Sequence, residues 1–139
     1  MADQAILGYG LLAPFRRGAN DFVAAGGEEL IKSSIRTILG TRCGSATTSG
    51  EVPFNQSLGS LLYLLRHENM DDPAIDELAR YYVVDAIRRN EPRVRLKVVR
   101  FIKDPRAYSY TITIRYDVIS RNVPGNRVVV RDVSQEVTV

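Results

Sequence analysis

The sequence predicts an α+β domain, an N-terminal arm and about three helices packed on a C-terminal antiparallel sheet of about three strands. Three observations carry this. Apolar residues recur at helical spacing through the middle of the chain. From Val94 onward the spacing switches to strict alternation. Short turn signals separate the alternating runs, which favours a meander.

The arm comes first. Gly8, Gly10, Pro14 and Gly18 interrupt apolar residues, so residues 5–20 read as irregular, with Leu11, Leu12 and Phe15 pinning them to the body. Gly26-Gly27 precedes a helix from Glu28 to Leu39. Leu30, Ile31, Ile35, Ile38 and Leu39 make its apolar stripe, Glu28 and Glu29 suit the first-turn dipole, and Gly40 reads as the C′ stop. A polar loop from Thr41 to Gln56 leads to a short helix from Ser57 to Arg66, marked by Leu58, Leu61, Leu62 and Leu65. Asp71 or Asp72 caps the next helix, with Pro73 in its first turn. Ile75, Leu78, Ala79, Tyr82, Ala86 and Ile87 form its buried face, and Pro92 forces it to end.

Val94, Leu96 and Val98 then alternate with Arg93, Arg95 and Lys97, and a slip at Val98-Val99 marks a bulge. Asp104-Pro105 is a turn. Tyr108 to Val118 is the clearest strand, Asn122 to Asn126 a loop, and Val128 to Val139 a third strand.

The 139 residues suit one domain, 1–139, able to bury a core without metal or disulfide. Hydrophobic residues at 45% and charged residues at 25% are ordinary globular usage, which argues against disorder. A net charge of +3 is too weak to imply nucleic acid. Cys43 stands alone, so no internal disulfide is expected. Met1 to Gln4 lacks a basic n-region, and no apolar run approaches the ~20 residues of a membrane span. Neither a signal peptide nor membrane insertion is expected, and the default compartment is the cytoplasm of the producing cell.

Few residues carry recognisable chemistry. Cys43 has no evident cationic neighbour to activate it. His67-Glu68 lacks the second histidine of a zincin, so no metal and no cofactor are expected. Gly8-Tyr9-Gly10-Leu11-Leu12-Ala13 matches a dinucleotide fingerprint in letters only, because no strand is expected before it and Pro14 opposes a helix after it. Glu51, Glu68 and Glu91 satisfy the two-carboxylate minimum of a glycosidase without forming a signature. No catalytic residue is assigned, and no enzymatic activity is expected. Residues 88–106 hold Arg88, Arg89, Arg93, Arg95, Lys97, Arg100, Lys103 and Arg106, which could bind phosphates. No reading motif accompanies them, so a solvated or protein-facing surface is preferred and nucleic-acid binding is the alternative.

Glu91-Pro92-Arg93 is the most legible short motif. Proline fixes its own φ and pushes Glu91 out of the helical region. An extended segment then presents Glu91 and Arg93 on one side as a charged pair. Such a pair either braces helix against sheet or meets a partner.

Ile38-Leu39-Gly40-Thr41, then Gly50-Glu51-Val52-Pro53 through Gly59, then Glu91-Pro92-Arg93 before strands, resembles in order and spacing the baseplate wedge, or sheath-initiator, family of contractile phage tails, type VI secretion systems and extracellular injection particles. Gly8-Tyr9-Gly10 to Pro14-Phe15 is similar to that family's N-terminus. Val52 stands where the family often has arginine, and Asn90 where it often has an aromatic. The resemblance implies a structural role. Partners would be wedge and hub or spike proteins and the sheath subunit, in a hexameric arrangement. Assembly would take place in the cytoplasm, and the chain would end in the particle's baseplate. It also implies a templating strand for sheath polymerisation. Here that strand is Val128, Val129, Val130, Val133, Val137 and Val139, with Arg131, Asp132 and Glu136 discouraging random pairing. Some family members carry a lysozyme label, which no site in this sequence supports.

Overall fold

The computed structural model describes residues 8–12, 17, 22–66, 68, 71–120 and 128–138. Its elements are β1 (Tyr9–Leu11), β2 (Ala24–Gly26), α1 (Gly27–Gly40), a 3-10 helix (Leu62–Leu65), α2 (Pro73–Asn90), β3 (Val94–Asp104), β4 (Ser109–Ile119) and β5 (Val128–Thr138).

β4 is the spine. It lies between β3 and β5 in an antiparallel three-stranded meander. Ile112, Ile114, Tyr116 and Val118 alternate along it and are fully buried. The core continues into Ile31, Ile35 and Leu39 of α1 and Ala79, Val83 and Ile87 of α2. The two helices thus cover the apolar face of the sheet, as the two hydrophobic periods require. In β3 the register shifts between Leu96 and Val98. Inward parity therefore passes from Val94 and Leu96 to Val99 and Phe101, and Lys97 is the extra residue. β5 has its own irregularity opposite Asp117, with Asp132 at φ 54. The Lys97 ammonium lies 3.0 Å from both Asp117 and Asp132, so one cation ties the two irregular points together.

The structure corrects several expectations. The arm is not wholly irregular, because β1 pairs antiparallel with β2. Gly10 tucks under Leu30, where an added Cβ would sit 3.4 Å from Leu30 Cδ1. Leu11 is exposed, Leu12 is half-buried with its N–H donating to Val23, and Phe15 lies outside the described residues. Gly40 belongs to α1 rather than stopping it. Thr41 caps the helix instead, its N–H and hydroxyl both donating to the Thr37 carbonyl at 3.0 and 2.6 Å.

The expected Ser57–Arg66 helix shrinks to one 3-10 turn at Leu62–Leu65, leaving two α-helices among the described residues. Gly59 has φ +111, outside the helical region. Ser60 donates to the Thr41 carbonyl at 3.0 Å and accepts from Cys43 N–H at 3.1 Å. These long-range bonds take up the backbone groups that a helix would use.

In α2, Asp72 is the cap, accepting from Ala74 N–H at 2.9 Å. Its buried face is centred further round than expected. Val83 is fully buried, while Leu78 is 38% exposed. Tyr108 lies outside β4, in a turn at φ 48 and largely exposed. The Asn122–Asn126 loop lies outside the described residues.

Candidate functional site

Two regions emerge, a polar junction at the end of α2 and the outer edge of β5.

The junction forms where α2 stops. Glu91 leaves the helix at φ −127, ψ 86 and is only 2% exposed. Its carboxylate accepts Arg93 Nε at 2.7 Å and Nη2 at 2.9 Å, a two-pronged charge-assisted pair. The Ser34 hydroxyl donates to Glu91 Oε2 at 2.8 Å, which brings in α1. Burial alone would raise the Glu91 pKa. The hydrogen bonds from Arg93 and Ser34, with the Arg93 charge, outweigh it and hold Glu91 below the usual carboxylate range. Arg93 is correspondingly held above the usual guanidinium value, chiefly by its hydrogen bond to Glu91.

The pair was expected from an extended segment, but the backbone delivers it differently. Residues 92 and 93 form a turn, and Val94 N–H donates to the Glu91 carbonyl at 3.3 Å. The Arg93 carbonyl accepts Ile119 N–H at 2.8 Å. The motif thus joins α1, α2, β3 and β4 at one point, which is bracing.

The Gly50–Gly59 segment packs against the same helix end. Arg89 Nη2 and Asn90 Nδ2 each lie 3.3 Å from the Gly59 carbonyl. Asn90 therefore ties the loop to the helix end by a hydrogen bond. The loop is held from within by Gln56, whose amide oxygen accepts the Gly50 N–H. The Gln56 Nε2 donates to Pro53 O at 3.3 Å. Phe54 stands fully exposed on the same loop. Cys43 is buried beneath it, and Arg89 Nη2 lies 3.5 Å from the thiol, a cationic neighbour that the sequence did not reveal.

Of the candidate carboxylates, Glu51 is exposed and accepts the Arg42 N–H at 3.1 Å, and Glu68 is exposed. Glu91 is the one brought into a junction. His67 lies outside the described residues, and no group of metal-binding side chains occurs among those described.

On β5, Val133 and Val137 are buried and face the core, while Asp132, Ser134, Glu136 and Thr138 are exposed. Val128 is half-buried. The Val129 and Val130 side chains and all of Val139 lie outside the described residues. Among the described residues, β5 pairs with β4 alone, so its second edge carries no strand. Gln135 is the residue that the sequence reading missed. It is buried, donates to the Lys32 carbonyl of α1 at 2.8 Å and accepts from the Tyr116 hydroxyl at 3.2 Å. A glutamine at inward parity between Val133 and Val137 was the available signal, and so was Ser34, three residues from Ile31 on the apolar stripe.

Within the basic stretch, Arg89 pairs with Asp85, Arg93 with Glu91, Lys97 with Asp117 and Asp132, and Lys103 with Asp76. Arg88, Arg95, Arg100 and Arg106 are exposed.

A provisionally assigned tail lysozyme from Geobacter sulfurreducens, known from its crystal structure, is 26% identical, with a TM-score of 0.61 over 81% of this chain and 88% of that one. The six-fold symmetrised cryo-EM structure of the anti-feeding prophage baseplate contains a chain 20% identical, with a TM-score of 0.66 over 99% of this chain and 89% of that one, which shows a shared fold. No curated protein matches the sequence. The sequence profile of the family described as "Baseplate wedge protein gp25" matches residues 25–123, a span that takes in the Gly50–Gly59 loop and the Glu91-Pro92-Arg93 junction together. With that span covering most of its length, the chain belongs to the baseplate wedge protein family, a structural family of contractile, phage tail-like particles.

Proposed function

We propose that this chain is a non-enzymatic baseplate component that joins wedge and hub or spike proteins around a six-fold axis and starts sheath polymerisation by strand addition. Family membership supports the baseplate role, and the symmetry of the anti-feeding prophage baseplate supports the six-fold arrangement. The single observation that carries the templating step is the unpaired edge of β5. An unpaired edge presents N–H and C=O groups to an incoming strand. Val133 and Val137 anchor the strand in the core, while Ser134, Glu136 and Thr138 alternate to the exposed face.

Deleting Gln135–Val139 would confuse templating with folding, because it removes the Gln135 bond to α1 and the Val137 side chain, the latter costing about 2 kcal/mol by itself. Ser134→Lys is the cleaner change, since it adds a charge to an exposed edge position and leaves the core alone. The variant is expected to fold and enter baseplates, with few sheaths started, as counted by electron microscopy of purified particles. Full-length sheaths at the normal frequency would sink the templating reading.

The lysozyme label of the Geobacter relative is not carried over. A general acid needs a raised pKa, and Glu91 is held low and occupied by the donors of Arg93 and Ser34. Purified protein is expected to release no soluble fragments from peptidoglycan. Release that disappears in Glu51→Gln, Glu68→Gln or Glu91→Gln would establish an activity.

A further inference from the structure

A cleft of about 460 Å³ adjoins the C-terminal part of β5, and its lining includes Glu136, Val137 and Thr138. Those three consecutive side chains alternate in exposure. Lining by three consecutive residues means that the cleft is not confined to one sheet face and reaches the side or the end of β5. β4 holds one edge of β5, so a strand entering beside the cleft would take the other.

Arginines from three segments line the same cleft: Arg36 in α1, Arg42 just after it and Arg66 after the 3-10 helix. All three are exposed. Among the described residues, the ion pairs formed are made by other cations. Glu136 is the one carboxylate in the lining, and Leu39 and Leu62 give the cleft an apolar floor. Three guanidinium groups around one opening favour an anion, carboxylate or phosphate, which their planar forks match. A bare strand edge and an apolar floor suit an extended peptide. Single-stranded nucleic acid is held by a series of exposed aromatic platforms along a basic groove, and Tyr63, the one aromatic in the lining, is half-buried with its hydroxyl donating to the Cys43 carbonyl at 3.0 Å.

We infer that this cleft takes an acidic, extended segment of a partner protein, which adds to the β5 edge and sets its carboxylates on Arg36, Arg42 and Arg66. The inference rests on the strand-addition reading and supplies the chemistry of the incoming strand.

The test measures binding to the full chain of a soluble peptide of alternating glutamate and valine, its glutamine-for-glutamate counterpart and a single-stranded oligothymidylate. The acidic peptide is expected to bind roughly tenfold more tightly than the neutral one. Arg36→Gln/Arg42→Gln/Arg66→Gln should remove that advantage, and Arg88→Gln should not. Should the triple variant lose its native circular dichroism, Arg36→Gln and Arg66→Gln singly are each expected to weaken the acidic peptide by about threefold. Equal binding of both peptides, unchanged in the arginine variants, overturns the acidic partner and leaves strand addition standing. Binding of neither peptide overturns the inference, while sheath initiation in Ser134→Lys reads the underlying function separately. Oligothymidylate binding that the arginine changes abolish, with no acidic-peptide binding, overturns it in favour of nucleic acid.

Discussion

Arg93→Ala is expected to destabilise the protein by about 3 kcal/mol at neutral pH, the scale for breaking a buried ion pair from one side. Glu91 stays behind, 2% exposed, with Ser34 as its remaining side-chain donor among the bonds described. Arg88→Ala, on the exposed side of the same helix end, is expected to cost under about 0.5 kcal/mol.

The pH dependence gives the effect a signature. In the parent protein the Glu91 pKa is lowered by folding. Its contribution is therefore fully present above the unfolded carboxylate pKa and is lost as pH falls through the still lower folded value. Without Arg93, burial dominates and raises the folded pKa, so the variant regains stability as pH falls and Glu91 takes up a proton. The gap between Arg93→Ala and the parent should narrow from neutral pH towards acid, as followed by urea denaturation. Adding Glu91→Gln to Arg93→Ala should recover part of the loss at neutral pH. A gap that stays constant or widens in acid would show that Glu91 is not the group left uncompensated. Baseplate incorporation should fall with stability if the motif is a brace. Failure to assemble with stability restored would identify the pair as a partner contact.

Gly59→Ala should be of similar size, about 3 kcal/mol, because two penalties coincide. At φ +111 the backbone is strained for any L side chain, and the new Cβ would lie 2.4 Å from the Thr41 carbonyl oxygen. That oxygen cannot retreat freely, since it accepts the Ser60 N–H at 3.0 Å. The Gly59 carbonyl would shift as well, loosening Arg89 and Asn90 at the end of α2. Gly40→Ala is the matched control: it lies in α1 and its Cβ would meet nothing within 4 Å. Thermal denaturation of the two variants checks this. Equal midpoints would mean that the contact between Gly59 and Thr41 is easily relaxed.

The parts that depend on local periodicity and local sterics are legible in the sequence. Alternation along Tyr108 to Val118 specified β4 and its inward face, Tyr108 itself falling in the turn before it, and the break at Val98-Val99 located a bulge that the ladder places at Lys97. Pro92 ended α2 where its ring demands. Glu91-Pro92-Arg93, with the Gly50–Gly59 segment and their order, was enough to point to the family. What depends on residues distant in the chain emerges only in the packed fold. The leucine spacing at Leu58 to Leu65 fits a helix, yet the bridge between Thr41 and Ser60 claims the backbone there. The pairing of β1 with β2 joins segments whose own residues carry no strand period. The partner of Glu91 was legible as Arg93, but Ser34, 57 residues away, was not, and neither was the bond from Gln135 to Lys32. The arginines at positions 36, 42 and 66 look like scattered surface charges in the sequence. They share one cleft because α1, the loop after it and the 3-10 helix all end beside β5. Side-chain period is a property of a segment, whereas convergence of charges and the satisfaction of buried polar groups are properties of the packed whole.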